Sequence, residues 1–325
     1  MEKIFVLGKI LQDVILDTDL EFTNNNFCFS AREKTLVSNF FTEPGGGAVN
    51  VGFSLKKLGF EPQVLGVVGK DSVGDYIRRE FKKRGLETAN IGASRVSSGN
   101  SIIILTKNKA HTALIYPGAN AELKVDDFEW NKIKKCRWWY IMSWGNNDSK
   151  IVDSIIRHKE KLGNHLAFNP GKIQLNNLSL VKKILEITDI LFVNEAELAA
   201  ILNHKINQDH KKALAEVVGM GPKIVVLTLG AAGSLVYNGF KFYQAPIYPV
   251  SQSDALGAGD AYSSAFLAWF IKTGKIEDAI KAATFNSGSV VEGVGALSGQ
   301  LAAKKIKEMI NKIDLKIVEE EYNLD

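Results

Sequence analysis

The run Asp254-Ala255-Leu256-Gly257-Ala258-Gly259-Asp260 carries the clearest chemical signal in the chain, because its small residues lead straight into an apolar helical stretch, Ala261 to Ile271, that stops at Gly274. Residues without bulk let a backbone approach an anion, and a helix that begins there points its amides and the positive end of its dipole at that anion. This is the pattern of a phosphate cradle with a carboxylate, Asp260, at its edge. Such a carboxylate can take the proton from a hydroxyl that attacks phosphorus. It can equally be an N-terminal cap, the ordinary role of Asp before an apolar helix.

Other segments narrow the chemistry. Gly45-Gly46-Gly47 follows a polar stretch instead of the first strand, and no GxxxxGK[ST] occurs, so neither a dinucleotide fingerprint nor a Walker loop is present. The five histidines are scattered without HExxH spacing, and Cys28 and Cys136 form no CxxC, which argues against structural zinc, histidine catalysis and a disulfide framework. Trp138-Trp139-Tyr140 sits in a strand-like run and reads as core, not as a stacking platform for bases.

The elements that must hold these residues alternate. Lys3 to Gly8 reads as a buried strand ending at glycine, and further strands are expected at 64–68, 138–142, 166–168, 190–193, 224–227 and 235–237, with helical stretches between several of them. Apolar runs of this kind build a mostly parallel sheet covered by helices on both faces. A helix is expected from Ala48 to Leu58, terminated by Gly59. Residues 11–43, with the Asn24-Asn25-Asn26 turn and the alternating Thr35 to Phe41, fall outside that pattern, as do Ser101 to Leu105 and Thr112 to Tyr116 around the turn Lys107-Asn108-Lys109. Both segments are assigned to a small β lid, approximately 11–43 and 99–118, within a single domain spanning 1–325.

With 46% hydrophobic and 23% charged residues the chain has material for a core and no bias toward disorder. Its 40 basic and 36 acidic residues are interspersed, and Lys132, Lys134, Lys135, Lys304, Lys305 and Lys307 read as helix faces, so no nucleic-acid partner is expected. The start Met1-Glu2-Lys3 lacks signal architecture and no apolar run reaches membrane-spanning length, which sets the expectation of a cytoplasmic protein.

Taken in order, Pro44-Gly45-Gly46-Gly47-Ala48-Val49-Asn50-Val51-Gly52, Gly69-Lys70-Asp71-Ser72-Val73-Gly74-Asp75, Asn194-Glu195-Ala196-Glu197, Thr228-Leu229-Gly230-Ala231-Ala232-Gly233 and Gly257-Ala258-Gly259-Asp260 resemble the signatures of the ribokinase-like, or PfkB, family of carbohydrate and nucleoside kinases. The resemblance covers essentially residues 3 to 300. It implies an α/β ribokinase-like fold with a Rossmann-like central sheet, and an ATP- and Mg²⁺-dependent transfer of the γ-phosphate to a hydroxymethyl group. Asp260 would be the base, with the Gly257, Ala258 and Gly259 amides holding the transferring group. Asp13, Gly45, Gly46 and Asn50 would form the acceptor wall. Asn194 and Glu197 would place Mg²⁺ and the triphosphate, the Glu197 carboxylate toward the metal, while Thr228, Gly230 and Gly233 would line the nucleotide site. Asn286 falls at an adenine-side position, with helix surface as an equal alternative. Ala255 stands where the family signature has Thr, which leaves a monovalent-cation site open, and Gly47 stands where ribokinases proper have Lys, which leaves ribose specificity open.

The expected acceptor is a monosaccharide, the alternative a nucleoside of adenosine type. A catalytically silent ligand-binding relative is disfavoured by the retention of Asp260 with its glycines. Relatives often pair through their lids, which makes a homodimer the expected assembly if one forms.

Overall fold

A computed structural model describes residues 1–20, 22–23, 26–27, 29, 32, 34–106, 111–207, 209–250, 255–293 and 295–322. The chain runs through β1 (Lys3–Leu7), β2 (Leu11–Thr18), β3 (Phe22–Thr23), β4 (Asn26–Phe27), β5 (Val37–Gly45), α1 (Gly47–Lys57), β6 (Glu61–Gly69), α2 (Ser72–Lys83), β7 (Ile91–Ser94), β8 (Gly99–Leu105) and β9 (His111–Tyr116). It continues with α3 (Trp130–Ile133), β10 (Trp138–Met142), α4 (Ser149–Leu162), β11 (His165–Asn169), α5 (Lys172–Leu175), α6 (Leu178–Leu185), β12 (Ile190–Asn194), α7 (Glu195–Leu202), α8 (His210–Val218) and β13 (Ile224–Thr228). The last elements are β14 (Ser234–Tyr237), β15 (Lys241–Ala245), α9 (Ala258–Thr273), α10 (Ile276–Val291), α11 (Ala303–Lys312) and β16 (Val318–Glu321).

Among the described residues one sheet has the order β16-β15-β14-β13-β12-β11-β10-β1-β6-β7. It is parallel from β7 across to β13 and antiparallel from there to β16. The apolar runs explain why it forms in the middle. Successive side chains of a strand point to opposite faces, so Ile4, Val6, Trp138 and Tyr140 enter one core while Phe5, Leu7, Trp139 and Ile141 enter the other. Covered on both faces, β10 has every residue buried, and Trp138, Trp139 and Tyr140 are core as expected.

A second sheet has the order β5-β2-β8-β9. Its inner face is closed by Ile15, Ile103 and Leu105, with Phe41 and Leu256 packed against them. Phe40, Leu114 and Tyr116, which alternate to its other side, are exposed, as is Ile115 near the end of the outermost strand. The Lys107-Asn108-Lys109 turn, Asn24, Asn25, Cys28 and Asp254 lie outside the described residues.

The helices hold two corrections. The expected helical face around Lys132, Lys134 and Lys135 is a single turn, α3, with the last two lysines beyond it. Gly69 to Asp75, one of the segments that carry the family resemblance, leads into the twelve-residue helix α2, which was not expected there and whose first turn is fixed when Asp71 accepts a hydrogen bond from the Gly74 amide at 2.8 Å. Gly59 and Gly274 do follow their helices in left-handed backbone conformations, as helix stops. Among the described residues no helix is long and apolar enough to cross a membrane.

Candidate active site

Asp260 is not a cap. The helix α9 begins at Ala258, so Asp260 lies inside its first turn, and its Oδ2 accepts a hydrogen bond from Asn50 Nδ2 at 2.8 Å. Gly257 supplies the turn into the helix with φ +75°, and a Cβ there would lie 2.5 Å from that of Ala296, so any larger residue would displace the neighbouring loop. Gly259 has open space around it. Ala258 donates its amide to Ala255 O at 3.2 Å, so the cradle relies on the next amides, among the N–H groups that a helix start leaves without intrahelical acceptors.

Asn50 belongs to α1 and is 6% exposed. With its amide nitrogen on Asp260, its Oδ1 is a buried acceptor without a partner among the described residues. An unpaired buried acceptor is costly, and a donor from a ligand would satisfy it. The turn before α1 brings the second sheet to the same place. Gly46 has φ +89°, and Gly45 leaves so little room that a Cβ would sit 1.8 Å from Asp13 Oδ2. Asp13 therefore packs over the Gly45 backbone. It is the third residue of β2 in the second sheet, 5% exposed.

A hydrogen bond also ties that sheet to the loop beside Gly257. The Ala296 amide donates to Glu43 Oε1 at 2.9 Å, and Ala296 packs directly on Gly257. Glu43 faces Asp13 across the β2–β5 ladder.

The opposite side is built by strand ends. A pocket of about 290 Å³ is lined by Asn194, Thr228, Gly230, Gly233, Ala258 and Gly259 among others. Next to it a cleft of about 190 Å³ contains Asn169, Glu197, Asp260 and Ser263. The two share Asn194, Thr228 and Gly259, so a ligand in the pocket has a path to Asp260. Asn194 and Glu197 form a capping box on α7: the Glu197 amide donates to Asn194 Oδ1 at 2.9 Å and the Asn194 amide to Glu197 Oε2 at 3.0 Å.

Asn286 does not reach the pocket. It is fully buried, donates to Ala261 O at 2.9 Å and accepts from the Leu301 amide at 2.8 Å, so its polar groups pin α9 and the loop after α10. Thr284 and Ser287 of the same helix line the pocket instead. Residues that the sequence reading missed are Ser263, Glu43 and Lys9. Only Lys9 had a local signal, a charged residue directly after an apolar strand.

Burial raises three carboxyl groups of the site. Burial pushes Asp260 up to about 6, against the hydrogen bond from Asn50 and the charge of Lys9. Burial, with Glu43 second, pushes Asp13 up to about 7, against a hydrogen bond from Ser101. Burial also raises Glu197, opposed by the Asn194 amide.

A family model described as pfkB family carbohydrate kinase matches residues 1–303. The chain belongs to that family. This kinase, a phosphotransferase with an alcohol acceptor, is 23% identical over 320 residues to the ribokinase of Lactococcus lactis subsp. lactis, covering 98% of this chain and all of the relative. The structure of Arabidopsis thaliana ribokinase complexed with ribose and ATP superposes with a TM-score of 0.79 at 21% identity, over 97% of this chain and 100% of that one. The Methanocaldococcus jannaschii nucleoside kinase gives 0.76 at 22%, over 96% and 99%. At these identities the two structures establish the ribokinase fold.

A pH dependence follows from the raised carboxyls of Asp13 and Asp260. If Asp260 serves as a base it must be ionised, and turnover is then expected to rise with pH through about 6 and to level above it. Stability is expected to run the other way. Asp13 and Asp260 keep protons in the folded state that the unfolded chain has released, so their contribution is full below the ordinary value of 3.8 and is lost as pH rises through about 6 to 7. Denaturant midpoints measured from pH 4 to pH 8 check this, with Asp13→Asn expected to flatten the decline; an unaltered slope in that variant would remove Asp13 from the argument.

Proposed function

We propose that this kinase transfers the γ-phosphate of ATP to the hydroxymethyl group of a monosaccharide, with Asp260 as the base. The observation that carries the reading is the position of Asp260, held by Asn50 at the point where the 190 Å³ cleft adjoins the larger pocket. ATP fits the larger pocket with its triphosphate toward Gly259. The acceptor hydroxyl gives its proton to Asp260 as its oxygen bonds to the γ-phosphorus. The bond from that phosphorus to ADP breaks, its electron pair leaves with ADP, and the proton later passes from Asp260 to solvent. The Gly257–Gly259 backbone and the start of α9 stabilise the charge on the phosphoryl oxygens.

Asp13 and the unpaired Asn50 Oδ1 serve the other acceptor hydroxyls, with Gly45 and Gly46 giving the backbone room to approach. Among the described residues no cluster of three acidic, histidine or cysteine side chains forms a cage for a metal. Mg²⁺ characteristically binds through one or two carboxylates, substrate phosphates and its own waters. Glu197, with Asn194 through water, would hold it beside the triphosphate, where it neutralises phosphate charge. Glu197→Gln is expected to raise the Mg²⁺ concentration for half-maximal rate several-fold, with a smaller effect on the saturated rate; an unchanged Mg²⁺ titration would place the ion elsewhere. The second sheet acts as a lid over the acceptor, and its exposed Phe40, Leu114, Ile115 and Tyr116 suit pairing with a second copy. A monovalent-cation requirement is left open by Ala255, and a cytoplasmic setting suits an ATP-using enzyme.

A nucleoside acceptor is the second reading, favoured by the structural likeness to a nucleoside kinase and by a polar wall that would hold ribose hydroxyls equally well. A screen of monosaccharides and nucleosides for ADP release with ATP and Mg²⁺ tests both. Release only with nucleosides would select the second reading, and no release with any acceptor, together with no ATP-induced rise in melting temperature, would sink both.

A further inference from the structure

The chain passes from the central sheet into the second one through Gly8, Lys9 and Ile10. This crossing is firmly held. The Lys9 amide donates to Ser143 O at 3.0 Å, and Lys9 O lies so near the glycine turn that a Cβ on Gly46 would be 2.5 Å from it. Ile10 is fastened by the buried Asn120, which accepts from the Ile10 amide at 2.8 Å and donates to Ile10 O at 2.9 Å. With the backbone fixed on both sides, the root of the Lys9 side chain is fixed as well.

That side chain is half-buried, and burial draws its ammonium below the ordinary lysine range while the charge of Asp260 acts to raise it. Asp260 feels the same charge in return. Yet among the described residues the ammonium makes no ion pair and no hydrogen bond; the two groups act on each other from beyond contact distance. A partly desolvated ammonium with no acceptor is costly, because it has given up water without replacement. An anion arriving between Lys9 and Asp260 would supply the acceptor.

We infer that Lys9 is a second catalytic residue, whose ammonium contacts the phosphoryl group while it passes from ATP to the acceptor. The inference rests on the kinase reading above. An anionic group carried permanently by the acceptor suits the place less well, since a single lysine among the carboxyl groups of Asp13, Glu43 and Asp260 is a small counterweight for it. The γ-phosphoryl group instead enters from the nucleotide side and ends beside Asp260. Lys9 forms no covalent bond and keeps its protons. It neutralises charge on the phosphoryl oxygens as the new oxygen–phosphorus bond forms and the bond to ADP breaks.

The test compares wild type, Lys9→Met and Lys9→Arg, using the acceptor found in the screen. Lys9→Met is expected to lower kcat by about 10- to 100-fold, the range of one hydrogen bond to a charged group, with KM for ATP and acceptor nearly unchanged and with Lys9→Arg recovering part of the loss. Affinity for ADP with aluminium fluoride, which imitates the transferring group, should fall by a similar factor, while affinity for ADP alone should not. An unchanged kcat overturns the inference, as does a loss confined to the acceptor's KM, which would make Lys9 an acceptor-reading residue. Should Lys9→Met fail to fold, Lys9→Gln takes its place in the same comparison. If wild type neither turns over nor binds ADP, the kinase reading fails before any substitution is made, and the inference falls with it.

Discussion

Replacing Asp260 with Asn leaves a folded protein whose kcat falls by about 10²- to 10⁴-fold, the usual contribution of a positioned general base. The substitution keeps the shape of the side chain and its place in the first turn of α9, and an amide oxygen can still accept the 2.8 Å hydrogen bond from Asn50. What it removes is the capacity to accept the acceptor's proton. It also removes a buried charge, so the variant should be at least as stable as wild type above pH 6, where the wild-type carboxyl is ionised at a cost. Affinity for ATP should be retained, because the cradle amides belong to the backbone. Steady-state kinetics with a denaturation curve decide the matter. A variant with near-normal kcat would reduce Asp260 to a structural partner of Asn50, and the mechanism would need another base.

Asp13→Ala is expected to reduce kcat/KM for the acceptor by about 10³-fold, within the span measured when one partner of a buried hydrogen-bonded charge is removed. The residue is 5% exposed and, in the proposed wall, holds hydroxyls other than the one that reacts, so the loss should fall on acceptor recognition while KM for ATP stays put. Deoxy analogues sharpen the test. A wall built to bond a hydroxyl discriminates strongly against an acceptor that lacks it, because its own groups are then left unpaired. Without Asp13 that discrimination should narrow for the one hydroxyl the carboxyl holds and persist for the others. If substrate and every deoxy analogue lose equally, or if ATP is affected instead, the wall lies elsewhere, with Asn100 and Asn169 the next positions to change.

How much of this was legible beforehand depended on whether local pattern or long-range contact set each feature. The parallel strands could be read because burial on both faces demands unbroken apolar runs, as in Trp138 to Met142, and the Gly257–Asp260 turn because small residues before an apolar helix have few other uses. The helix α2 was missed since its start, Asp71-Ser72-Val73-Gly74, has the composition of a turn until Asp71 is seen to cap it. β15 and β16 were missed as well: β15 is five residues long with no continuous apolar run, and β16 is a four-residue edge strand exposed throughout. Asn286 shows the limit for polar residues. Sequence reveals that a side chain can hydrogen-bond, whereas only the packing of α9 against α10 reveals that its bonds are already made. Asp13 and Asn50 come together with Asp260 across more than two hundred residues of chain, and no spacing rule anticipates that.

The tie between Glu43 and the Ala296 amide has a consequence for how this sequence can drift. The same carboxylate that fastens the second sheet to the loop on Gly257 also bears on Asp13 and helps keep its proton in place. A change at position 43 therefore alters loop geometry and acceptor-wall charge in one step, and a neutral replacement that keeps the hydrogen bond still shifts the titration next door. Substitutions at 13 and 43 are for that reason epistatic: the fitness of either residue is defined only with the other specified, and the two positions can diverge only together.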